Sequence, residues 1–168
     1  MPISCAQNIK SKQNNNLMKH KIPLLTINNL DDQNGSLKYI KATIHLKDLF
    51  FLVDTGATRT CMNETCIKDY LNSREQKLIK EGVEIMGLGT SEHKSRTCVL
   101  RKISFNRMGA YDFPVVITNL SDIFAALQMA AGVELHGILG NDFLMKYKAV
   151  IDYGNNFMRV DCGTLRTR

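Results

Sequence analysis

The sequence predicts a mostly-β domain, a small barrel or sandwich with two or three short helices. Three observations predict it. Apolar and polar residues alternate in several short runs, the mark of strands with one buried face. Turn-forming Gly, Asn and Asp residues punctuate these runs. Only residues 63–71 and 121–131 read as helices, with a further helical turn at 141–147. About seven or eight short strands with so few helices suit a barrel or sandwich rather than a parallel α/β sheet. At 168 residues the chain corresponds to one domain of about 150 residues, enough to bury a core without covalent staples.

Composition narrows the class. Hydrophobic residues make up 44% and charged residues 23%, which excludes collagen-like, disordered and disulfide-framework chains. No apolar run approaches the roughly 20 residues of a membrane helix, and the first residues lack the apolar centre of a secretory signal. The expected location is therefore cytoplasmic. The five cysteines are an odd number without a C-x-x-C, and the four histidines lack zinc spacing. Reduced, packed thiols are expected, with no metal and no cofactor. The net charge of +6 is mostly a property of residues 1–23, which hold Lys10, Lys12, Lys19 and Lys21 and no acid. A solvated tail explains it, so nucleic acid is not an expected partner. Residues 1–21 are expected to be a basic, flexible tail, residues 22–163 the domain, and residues 164–168 a C-terminal tail.

The elements follow in order. Residues 22–27 are a short apolar segment, and residues 28–36 are turn-rich. Ile40, Ala42, Ile44 and Leu46 then alternate with Lys41, Thr43, His45 and Lys47, a half-buried strand. Lys47 and Asp48 are the expected reversal. Residues 49–53 are continuously apolar, as in a strand covered on both faces. A helix is expected over 63–71, with Asn63 as its N-cap. A strand at 83–86 enters Gly87-Leu88-Gly89-Thr90. Strands are expected at 97–105 and 112–117, the second with Pro114 near an edge or bulge. The helix over 121–131 has Ser121 as expected N-cap and Gly132 as its stop. A buried strand at 136–139 ends at Gly140. Residues 149–153 and 157–161 form a hairpin around Gly154-Asn155. No period of 20–50 residues repeats.

One local signal carries chemistry. Leu52-Val53-Asp54-Thr55-Gly56-Ala57 places a carboxylate where a buried strand ends in a glycine turn. A carboxylate near a core is costly unless it is paired or used. Thr55 adds a hydroxyl, while Gly56 and Ala57 leave room for another backbone to approach. An Asp-x-Gly is also an ordinary turn signal. A second run, Gly137-Ile138-Leu139-Gly140-Asn141, reads as an apolar strand, a glycine and a helix start.

Together the two runs resemble those of the retropepsin-like aspartic proteases, of the retroviral, retrotransposon and bacterial single-domain kind. In that family an Asp-Thr-Gly-Ala follows an apolar strand, and a later apolar-apolar-Gly packs beneath the catalytic loop. Asp54, Thr55, Gly56 and Ala57 match the first motif, and Ile138, Leu139 and Gly140 match the second. Ile85-Met86-Gly87-Leu88-Gly89 resembles the glycine-rich flap. The resemblance spans about residues 37–161 in the right order. Asn141 stands where retroviral members usually carry Arg, and Thr90 where a third flap glycine is common.

The resemblance implies a closed single-lobe acid-protease barrel and peptide-bond hydrolysis without metal or covalent intermediate. That chemistry needs two carboxylates sharing one proton, one to take a proton from water and one to polarise the scissile carbonyl. The chain has one such loop. Val160-Asp161-Cys162-Gly163 lacks the hydroxyl residue and has only five residues after its glycine. The expected partners are therefore a second copy of the chain and an extended polypeptide substrate. The alternative is a protein- or nucleic-acid-binding module that keeps the fold without cleaving. A serine or cysteine hydrolase is disfavoured, because no G-x-S-x-G is present and neither Cys61 nor Cys66 has an evident His partner.

Overall fold

The structure, a computed structural model, describes residues 17–28, 35–83 and 95–163. Strand β1 (Leu17–Pro23) is followed by β2 (Leu25–Ile27), β3 (Leu37–Ile44), β4 (Lys47–Val53) and β5 (Cys61–Asn63). A 3-10 turn (Glu64–Cys66) leads into α1 (Ile67–Tyr70) and α2 (Ser73–Lys77). Then come β6 (Lys80–Val83), β7 (Ser95–Phe105), β8 (Met108–Thr118), α3 (Ser121–Ala131), β9 (Gly137–Leu139), α4 (Asn141–Lys146), β10 (Val150–Asp152) and β11 (Phe157–Gly163).

The alternation in β3 has the expected outcome, with Ile40, Ala42 and Ile44 fully buried. The reversal after it comes two residues earlier than expected. Ile44 pairs with Lys47, leaving His45 and Leu46 as a two-residue loop with φ of 49° and 65°. Two positive φ values define the turn whose twist matches a hairpin. Leu46 is therefore not a core residue and is 97% exposed. Asp48 sits instead on β4, gripped by Lys41 at 2.6 Å and by the Thr43 hydroxyl at 3.2 Å.

Six strands close a barrel in the order β3, β4, β9, β5, β8, β7, with Thr43 pairing Ser104 to bring β7 back to β3. β4 runs parallel to β9, and β5 parallel to β8, while β5 and β9 are antiparallel. β2 and β6 extend the sheet at its two ends. β5 flanks β8 only at residues 116–118, so Pro114 falls where that side of β8 needs no N–H donor. β1, β11 and β10 form a separate three-stranded sheet. Residues 17–21, expected in the flexible tail, are thus ordered in β1, which pairs with β11 from Leu17 to Pro23. The inward side chains His20 and Ile22 alternate with exposed Lys19 and Lys21, a short period easily hidden among lysines.

The barrel is filled by Ile40, Phe51, Met62, Leu100, Phe105 and Phe143, among others. Phe143 of α4 stacks edge-on against Phe105 at 4.9 Å and Phe113 at 5.6 Å. Each such phenylalanine contributes about 1.5–3 kcal/mol on burial, and this cluster fixes α4 beneath the end of β4. A second cluster, with Phe124, Leu135 and Ile138, packs α3 onto the outer face of β4 and β9.

The expected helix over 63–71 is shorter. Asn63 ends β5 and makes no cap; its side chain accepts from the Leu120 N–H at 3.0 Å. Ser121 is the first residue of α3 rather than its N-cap, while Gly132 ends that helix at φ 67° as expected. α2 begins in a reciprocal cap. Asn72 Oδ1 accepts from the Glu75 N–H, and Glu75 Oε2 accepts from the Asn72 N–H. Glu75 is fully buried, and also bonds the Arg101 N–H of β7 and His45 Nε2. The notable consequence of burial would be a raised carboxyl pKa. His45, with the Asn72 and Arg101 N–H groups, outweighs it and holds Glu75 below the ordinary value.

Candidate active site

β4 carries its chain into Asp54, and the pairing with β9 continues one residue further. Val53 lies opposite Leu139, and the Asp54 N–H donates to Leu139 O at 3.1 Å. The loop then turns on itself. The Gly56 N–H donates to Asp54 Oδ1 at 2.8 Å, and the Ala57 N–H to Asp54 O at 3.3 Å. Asp54 is half-buried, and Thr55 and Gly56 are exposed. Asp54 Oδ2 has no hydrogen-bond partner among the described residues. One carboxylate oxygen is therefore oriented by the backbone while the other is open to a ligand, a water or a second carboxylate.

The expected second motif lies directly under this loop. Ile138, Leu139 and Gly140 are all buried. The Asn141 N–H donates to Ala57 O at 2.7 Å, and the Asp142 N–H to Thr58 O at 3.3 Å. Gly140 is required by contact: a Cβ there would lie 2.5 Å from the Arg59 carbonyl carbon and oxygen. At Gly137 a Cβ would fall on Cys61 O and the Phe51 ring.

Three further residues complete the brace, and the sequence did not single them out. Thr60 is 1% exposed. Its hydroxyl accepts from the Gly140 N–H at 3.1 Å and donates to Asp142 Oδ1 at 2.7 Å. The same oxygen of Asp142 accepts from the Thr60 and Phe143 N–H groups, each at 2.8 Å. Asp142 Oδ2 faces Arg59 Nε at 3.3 Å. Loop and second motif are thus tied through a charge-assisted network rather than by apolar contact alone. Thr60 and Asp142 are 82 positions apart, and neither belongs to a local pattern that would announce the pairing.

Gly87, Leu88 and Gly89, expected as a flap, lie outside the described residues. Their flanks are described: β6 and β7 pair antiparallel, with Val83 opposite Ser95. Cys61 lies below the loop, where burial, and then the charge of Asp142, push its thiol up to about 11. It stays protonated at neutral pH and is no nucleophile. Among the described residues no group of three or more His, Cys, Asp or Glu is placed to hold a metal ion. No described helix is long and apolar enough to cross a membrane.

Barrel, Asp-Thr-Gly-Ala loop and the braced strand beneath it define a single-lobe aspartic protease fold. The family model for aspartyl proteases matches residues 40–143, and the chain belongs to that family. Among solved structures, a retropepsin-like aspartic protease from Rickettsia conorii is similar at TM-score 0.51 and 14% identity, over 87% of this chain and 95% of that one. The fold is therefore retropepsin-like. The retroviral protease-like domain of Ddi1 from Leishmania major aligns at TM-score 0.49 and 17% identity, over 73% of this chain and 86% of that one. No curated protein sequence gives a significant match.

Proposed function

We propose that the protein is an aspartic endopeptidase that works as a homodimer, with Asp54 of each copy forming one catalytic pair. The single observation that carries this reading is the Asp54 loop itself. One carboxylate, backbone-oriented through Gly56 and open on its other side, stands at an exposed rim of the barrel. One carboxylate cannot be general base and general acid in the same step. A second copy related by a two-fold axis supplies the missing group without any further motif.

In such a pair the two groups share a proton, because like charges so close do not both ionise. The ionised member takes a proton from water, which attacks the scissile carbonyl. The protonated member donates to the carbonyl oxygen. Thr55 would contact the partner loop across the axis. The segment between Val83 and Ser95, with Gly87, Leu88 and Gly89, would cover a substrate bound as an added strand.

The test is digestion of a peptide library by the full chain and by Asp54→Asn, with molar mass measured on the same samples. Specific cleavage by a dimer, lost in Asp54→Asn without loss of folding, is expected. Cleavage unaffected by Asp54→Asn would refute the assignment, and its complete absence in a well-folded dimer would favour a binding module.

A further inference from the structure

His136, just before β9, is bonded to β4, β5 and α1. Its N–H donates to Phe50 O on β4 at 2.8 Å, and its carbonyl accepts from the Asn63 N–H of β5 at 2.9 Å. Its ring is buried, at 7% exposure. The Phe50 N–H lies 3.3 Å from Nδ1, and the Tyr70 hydroxyl of α1 lies 2.9 Å from Nε2. That hydroxyl also lies 3.0 Å from Asp48 O, back on β4.

Donors and acceptors assign the protons. A backbone N–H only donates, so Nδ1 is bare. A carbonyl only accepts, so the Tyr70 proton points to Asp48 O. The Tyr70 oxygen then accepts from Nε2–H. This network is complete only for the neutral Nε2–H ring.

We propose that His136 is a positioning residue for Asp54: its neutral ring latches β4 to the start of β9, and a proton on Nδ1 releases the latch. A protonated Nδ1 would set N–H against the Phe50 N–H. Phe50 lies four residues before Asp54 on the same strand, and Leu139, three residues after His136, holds the Asp54 N–H. Both strands that meet at Asp54 therefore pass through the His136–Phe50 contact. The catalytic part of this proposal rests on the reading of Asp54 given above.

The surroundings bear on the latch. α1 brings Tyr70 and Asp69, the 3-10 turn brings Cys66, whose thiol lies 3.8 Å from His136 O, and β4 brings Asp48. The Asp48 carboxylate is already paired with Lys41. Glu134 precedes the ring by two residues. Burial holds His136 below the ordinary value of 6.5, and Glu134 opposes this only in part. An unfolded chain thus takes the proton at higher pH than the folded one. Stability from this residue is complete above pH 6.5 and declines as pH falls toward the folded value, with the unfolding equilibrium rising by up to about tenfold per pH unit.

The experiment uses the full chain, wild type, His136→Asn and His136→Phe. Asn keeps an acceptor at the Nδ1 position for the Phe50 N–H but does not titrate; Phe removes both. Ring ¹⁵N shifts report the tautomer, and melting and peptide cleavage are followed from about pH 7.5 to about pH 4.5, spanning the histidine range. A bare Nδ1 at neutral pH is expected. Below pH 6.5 wild type should lose more melting temperature and more kcat than His136→Asn, with His136→Phe weakened at every pH. An Nδ1–H tautomer, or parallel melting curves for wild type and His136→Asn, overturns the latch. Parallel cleavage profiles in active enzymes overturn the positioning role alone. Wild type that cleaves nothing, with the ring and melting results as expected, overturns the peptidase reading and the catalytic positioning with it.

Discussion

Thr60→Val isolates the brace beneath the Asp54 loop. Valine matches threonine in shape, so at a site only 1% exposed little changes but the hydroxyl. Two interactions go with it. The Gly140 N–H, buried and bonded among the described residues only to that hydroxyl, at 3.1 Å, is left without that acceptor, a cost of about 1–3 kcal/mol. Asp142 loses its 2.7 Å bond from the hydroxyl, a further ~1–2 kcal/mol, softened because it keeps the Thr60 and Phe143 N–H groups. The sum is about 2–5 kcal/mol, a large share of a typical 5–15 kcal/mol stability. At roughly 2–4 °C per kcal/mol for this chain length, melting should fall by about 4–20 °C. Thr60→Ser keeps the hydroxyl and should lose only the methyl contribution, about 1 kcal/mol. Differential scanning calorimetry of the three proteins decides. A Thr60→Val that melts within about 2 °C of wild type, half the smallest shift expected, would refute the reasoning.

Three further outcomes are expected. Glu75→Gln places an amide N–H₂ against one of the N–H donors from Asn72 or Arg101, so chemical denaturation at neutral pH should show a loss of about 1–3 kcal/mol. The Glu75 carboxyl is held low in the folded state, so its contribution is present above the unfolded value of 4.5 and is lost as pH falls through the folded value; the gap between wild type and variant should narrow in acid. Thr55→Ala should weaken dimerisation and cleavage together, and Thr55→Ser should spare both, as read by molar mass from static light scattering beside the peptide assay. Gly87→Val or Gly89→Val should reduce turnover with little change in melting temperature; full activity in both would assign the cover to another segment.

The sequence made some of this legible and hid the rest for physical reasons. The β3–β4 hairpin was visible because Ile40, Ala42 and Ile44 alternate over enough residues to show a period, and because a continuous apolar run leads into Asp54. The two motif loops were visible because each is a contiguous run. β5 was not, since Cys61–Asn63 is too short to show any period and its neighbours read as a helix start. α2 carried a local signal, Asn72 with Glu75 three residues on, which announces a capping box. The pairs that brace the site lie far apart: Thr60 with Asp142, Phe50 with His136. A hydrogen bond between such positions leaves no pattern in one sequence, because each residue alone also fits an ordinary cap, turn or surface site.

The most direct test of the proposed Asp54 pair is a subunit-mixing assay. Wild type and Asp54→Asn are mixed in varying proportion, allowed to exchange subunits, and assayed on a peptide the wild type cleaves. If each active unit needs Asp54 from two copies, activity falls as the square of the wild-type fraction, to about a quarter in an equal mixture at fixed total protein. Activity that falls in direct proportion, to about half in the equal mixture, would mean that each copy works on its own Asp54, and about three quarters that one Asp54 per dimer suffices; either would contradict the shared-pair mechanism.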